Sequence, residues 1–155
     1  MLAVYCLITL AACAGSDQQA ALHDAASKYQ AALGHYVQRI AQDVQVVPTP
    51  PPGGAIDPST LSQWRYQSLV RRHAEVQALE KELRTITFPA SLHGDVANLF
   101  LEMDESAAFD SQLIGQGMSS DADMNRADAL DADWQNAMTK VGTDLGLRPQ
   151  QTVED

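Results

Sequence analysis

The chain has 155 residues, 45% of them hydrophobic and 19% charged, with 20 Asp and Glu against 10 Lys and Arg. The formal net charge of −10 argues against a nucleic-acid binder, because displacing counterions from phosphates takes a basic face. It argues equally against docking on anionic lipid through a charged surface, and the length corresponds to a single domain able to bury a core.

The first element in chain order is an uncharged apolar run of eleven residues, Leu2 to Ala12. It falls short of the ~20 residues that a membrane-spanning helix requires. It fits the apolar region of a secretory signal instead. The run ends in Leu10-Ala11-Ala12-Cys13. This resembles the lipobox of bacterial lipoproteins, the motif read by lipoprotein signal peptidase. The chemistry is consistent with that resemblance. Small residues before the cleaved bond let a protease approach the backbone, and the thiolate is the one nucleophile there that can be alkylated.

The resemblance implies that residues 1–12 are a cleaved signal peptide and that Cys13 carries a diacylglyceryl thioether. Residues 13–16 then form a lipidated N-terminal tether. The implied location is extracytoplasmic, at the cell membrane or the outer membrane. Ala14 and Gly15, with no aspartate after the cysteine, imply the outer membrane in a host that has two. The sequence departs from the lipoprotein pattern in one place. A basic segment is expected before the apolar run, and the first Lys or Arg is Lys28. Cys6 and Cys13 are the two cysteines, so the remainder has no disulfide, thiol nucleophile or zinc-thiolate site.

Four helical segments follow. In the first, from Asp17 to Val44, the apolar positions Leu22, Ala26, Tyr29, Leu33, Tyr36, Ile40 and Val44 recur at helical spacing. Gly34 interrupts it at a cost of about 1 kcal/mol relative to alanine. Residues 46–57 hold four prolines in five positions, which reads as a stiff extended connector. Asp57 is a suitable N-cap and Pro58 a suitable first residue for the second helix, which runs to Ile86 along Leu61, Tyr66, Leu69, His73, Val76, Leu79 and Leu83. Glu80 and Arg84 form an i,i+4 pair in the favourable order.

The third helix opens near Pro89 and runs to Ile114 along Leu92, Val96, Leu99, Met103, Ala107 and Leu113. In the fourth, Ser120 and Asp123 have capping-box spacing, and Met124, Ala127, Leu130, Trp134, Met138, Val141 and Leu145 mark its apolar side. Gly146 with Leu147 reads as a glycine C-cap, and residues 148–155 as a disordered tail. No alternating run predicts a strand. The expected fold is all-α, an antiparallel up-down four-helix bundle over residues 17–147. From Arg65 to Arg84 there are five bases and three acids, and from Asp95 to Asp144 eleven acids and two bases. The second helix is therefore expected to lie beside the third or fourth.

Chemistry-bearing motifs are sparse. Asp121-Ala122-Asp123-Met124-Asn125 resembles the opening of an EF-hand loop, but Arg126 stands where glycine is needed and Ala132 where a bidentate glutamate is needed. Asp128 and Asp131 extend this acidic face, which reads as solvated. His73, on the apolar stripe, is either a metal ligand or a hydrogen-bonded core histidine. No Glu-x-x-His or His-Glu-x-x-His metal motif occurs. His73, Asp121, Asp123, Asp128 and Asp131 are thus weak metal candidates only. No Gly-x-Ser-x-Gly, Ser-x-x-Lys or phosphate-binding glycine loop is present, so no catalytic residue is assigned. Trp134 reads as core and Trp64 as the better surface candidate. No cofactor is expected. The sequence supports a lipid-anchored, non-catalytic binding or scaffolding module with an envelope protein as partner. The alternative is a metal- or small-ligand-binding bundle acting as sensor or carrier.

Overall fold

Helical spacing becomes helix in all four places. The computed structural model describes residues 3–44, 57–116 and 120–147, with the side chains of residues 3–15, 43–44 and 58 outside that description. It contains α1 (Ala3–Val44), α2 (Pro58–Leu83), α3 (His93–Gln116) and α4 (Asp121–Asp144), and no strand among the described residues. The side chain of Cys13, the connector over residues 45–56 and the tail over residues 148–155 lie outside the described residues.

The helix ends follow local chemistry. Asp57 accepts from the backbone N–H groups of Ser59 and Thr60, and Pro58 opens α2, which needs no donor there. Ser120 and Asp123 close a reciprocal capping box at the start of α4. At its end Gly146 takes φ +79°, the Gly146 N–H donates to Thr143 O, and the Leu147 N–H donates to Gly142 O. This is the paired closure that a glycine after the last turn permits.

Three boundaries differ from the sequence reading. α1 begins at Ala3 rather than Asp17, because the intervening residues hold no proline to stop a helix. α2 ends at Leu83, and the chain turns through Arg84 and Thr85 before burying Ile86 and Phe88. Pro89 leads into a single 3-10 turn, Ala90–Leu92, and α3 starts only at His93.

Consecutive helices pack on one another, α1 on α2, α2 on α3 and α3 on α4. The main core joins Ala25, Tyr29 and Ala32 to Val76, Leu79 and Leu83, and these to Leu99, Met103, Trp134 and Val141. Tyr29 meets Phe88 edge-on at 6.3 Å between ring centres, and Tyr36 meets Trp134 at 6.1 Å. A smaller apolar cluster holds Leu69, Leu113 and Ala127, with Phe109 and Ile114 against it. The exposed expectations Leu61 and Ile40 lie at 37% and 38% exposure, off the buried faces of their helices.

Candidate functional site

The two apolar clusters are separated by polar side chains at core positions. From Leu92 in the 3-10 turn along α3, the buried residues Leu92, Val96, Leu99, Met103, Ser106, Asp110 and Leu113 recur every three or four residues without a gap. Ser106 and Asp110 therefore occupy the same inward stripe as the apolar residues. Arg72 on α2 stands between Leu69 and Val76, and Asp131 on α4 between Ala127 and Trp134, at the same spacing.

These residues satisfy one another. Arg72 Nη2 donates to Asp110 Oδ1 at 2.8 Å, and Nη1 reaches Asp131 Oδ2 at 3.1 Å and Asp128 Oδ1 at 3.4 Å. Asp131 Oδ1 accepts from Ser106 Oγ at 2.9 Å and from the indole N–H of Trp134 at 3.0 Å. Asp110 is 2% exposed. Burial pushes its carboxyl above the usual aspartate range, against the opposing pull of the Arg72 guanidinium. The same three carboxylates hold Arg72 firmly protonated, outweighing its own desolvation.

A second feature lies between α1 and α4. Here the helices leave a half-open groove of about 800 Å³, walled by Leu33 and Val37 on one side and by Met138 and Leu147 on the other. Tyr29 forms part of its lining, and the Tyr29 hydroxyl donates to Met138 O at 2.7 Å. Burial raises the Tyr29 phenol well above its ordinary value, so the proton stays in that bond. Two glycines are part of its lining: a Cβ at Gly34 would meet nothing within 4 Å, and one at Gly142 would make ordinary contact with Tyr29 Cε1 at 3.6 Å. A volume of this size is within the range of ligand-binding clefts.

The weak metal candidates do not converge. Asp121 pairs with Arg65 at 2.7 Å, Asp123 closes the Ser120 cap, and Asp128 and Asp131 share Arg72. His73 Nε2 lies 3.3 Å from Ser111 Oγ. Among the described residues, no three His, Cys, Asp or Glu side chains are grouped to hold a metal ion. Trp134 is core, at 1% exposure, and Trp64 is half-buried.

Asp110, Ser106 and Arg72 do not stand out in the sequence as inward-facing positions, because a polar side chain on a stripe reads as surface. The unbroken spacing from Leu92 to Leu113 was the signal available. The groove had none, since it depends on how far α1 and α4 stand apart. No helix among the described residues is long and apolar enough to cross a membrane. No family model matches the chain, and neither does any curated protein or solved structure.

Proposed function

We propose that this protein is a lipid-anchored helical bundle that acts outside the cytoplasm as a non-catalytic binding or scaffolding module. The observation that carries the reading is Leu10-Ala11-Ala12-Cys13 at the end of an apolar run. Each buried methylene of a lipid on Cys13 contributes ~0.8 kcal/mol, and two or more chains give stable anchoring. A tether then does for an acidic protein what a basic surface patch does for others.

The bundle runs up, down, up and down. Ion pairs between helices support this arrangement. Lys140 late in α4 meets Asp95 early in α3, and the partners on α2 run backwards as α1 advances, from His35 with Glu82 to Arg39 with Glu75. Arg65 and Asp121 join the starts of α2 and α4. The same pairs support a scaffolding role. The cations Arg39, Arg65, Arg72, Arg84 and Lys140 each bridge to a carboxylate on another helix, where they fix the frame. The partner is an envelope protein that meets the acidic α3 and α4.

The test is metabolic labelling with palmitate. The expected result is label on the native chain and its recovery with membranes, both lost in Cys13→Ser. Equal label and equal membrane retention in Cys13→Ser would overturn the reading.

A further inference from the structure

We infer that the short anchor stands the bundle on end at the bilayer, with Ser91 and the last turn of α4 against the phospholipid headgroups and the starts of α2 and α4 held away from them. The inference rests on the reading that Cys13 carries the lipid. Gln18 and Gln19 on α1 line one cavity with Leu22, Pro89, Ser91 and Asp144. The first packed turn of α1, the 3-10 turn and the close of α4 therefore sit together at one end of the molecule. Gln18 lies five residues after Cys13. Such a stretch spans about 8 Å as helix and at most about 18 Å fully extended. The opposite end is a helix length further off. Helix α4 covers about 35 Å from Asp144 back to Asp121, where Asp121 pairs with Arg65 near the start of α2 at 2.7 Å.

Two features oppose tipping onto a flank. Helix α1 is unbroken from Cys13 to Leu22, where it joins the main core, and no proline interrupts that stretch. The tether is thus part of a rod that enters the bundle rather than a free string. Charge acts in the same direction. Residues 95–144, which cover most of α3 and all of α4, hold eleven acids against two bases, and an anionic bilayer repels a flank of that sign. At the near end Lys140 bridges Asp95 and Asp144, and Lys28 pairs with Asp24, so cations offset the acids there. A protein approaching from across the envelope then meets the starts of α2 and α4 first, while Ser91 and Gly146 are covered by headgroups.

The experiment is resonance energy transfer from the lipidated protein to the surface of vesicles made of phosphatidylethanolamine and phosphatidylglycerol, with an acceptor dye on the headgroups. Cleavage removes Cys6 and the lipid caps the Cys13 sulfur, so an introduced cysteine is the one free thiol for a donor dye. Ser91→Cys and Ala122→Cys are both at exposed positions, one at each end, and thermal melts check that each variant is folded. Transfer is expected to be at least twofold greater from position 91 than from position 122. Equal transfer, as from a bundle lying flat, or the reverse order would overturn the proposal. A flexible Gly-Ser insert of about 15 residues after Ser16, with about 20 Å of free reach, should bring the two values together. An unchanged difference with that insert would also overturn it, because the short anchor would then not be what orients the bundle. A Cys13→Ser chain beginning at residue 13 and joined to a synthetic acyl lipid through its N-terminus should give the same order of transfer. The orientation therefore stands or falls separately from the palmitate result.

Discussion

Arg72 and Asp110 face each other in a two-pronged pair, Nη2 to Oδ1 at 2.8 Å and Nε to Oδ2 at 3.4 Å, inside a helical core. Such a pair fixes geometry more than it adds stability, because both charges were solvated before folding. Removing one partner is different, since it strands the other. Arg72→Met leaves Asp110 at 2% exposure with no cation, and a loss of about 3–5 kcal/mol is expected. Asp110→Leu should cost less, because Arg72 keeps Asp131 and Asp128. The double variant Arg72→Met/Asp110→Leu should be more stable than the sum of the singles implies. Urea unfolding of all four proteins closes the cycle and checks the coupling.

Trp134 has two separable jobs. It fills the core at 1% exposure, and its indole N–H donates to Asp131. Trp134→Ala should cost about 3–5 kcal/mol through the cavity it leaves. Trp134→Phe keeps most of the volume and loses the donor, at an expected cost of about 1–3 kcal/mol. Equal melting temperatures for the two variants would contradict this division.

Two glycines should respond with opposite sign. Gly34 lies in the helical part of α1 with open space at the Cβ position, so Gly34→Ala should stabilise by about 0.5–1 kcal/mol. Gly146 has φ +79°, where an L side chain is strained, so Gly146→Ala should destabilise by about 1 kcal/mol. Melting curves of the two proteins are sufficient to compare them.

Two carboxylates should titrate on opposite sides of their ordinary values. Asp110 is raised by burial, while Glu82 is lowered by the hydrogen bond from His35 and by Arg39, which together outweigh its desolvation. The folded state therefore holds the Asp110 proton more tightly than the unfolded state does. Its contribution is fully present below the unfolded value of about 3.9 and is lost as pH rises through the folded value. For Glu82 the sign reverses. Its contribution is present above the unfolded value of about 4.3 and is lost as pH falls through the folded one. Carboxyl-carbon NMR titration should place the two midpoints accordingly. Asp110→Asn should remove the first slope from stability measured against pH, and Glu82→Gln the second.

Much of the fold was legible because its signals are local. The Ser120–Asp123 cap, the Asp57-Pro58 start and the Gly146 stop each depend on a few neighbouring residues. The placing of the basic second helix beside the acidic third or fourth followed from charge, and Arg65, Arg72 and Arg84 all reach across to aspartates. Asp110 was not legible as core, since polarity alone places an aspartate outside, and only the partner on another helix makes its burial tolerable. The same holds for Asp131, which was read as solvated and carries 13% exposure on its side chain. The groove was illegible for a further reason. Leu33 and Met138 lie on apolar stripes and read as packed core, and no periodicity reports the distance between two helices.

The polar residues between the two apolar clusters also set where the molecule comes apart. Leu69, Leu113 and Ala127 form the small block, and α1 supplies no buried residue to it. With so little hydrocarbon buried there, that block is expected to open at a lower free energy than the block built on Trp134 and Leu99. Amide protons around Ala127 should then be released to solvent water before those around Val141, one half of α4 unravelling while the other still holds.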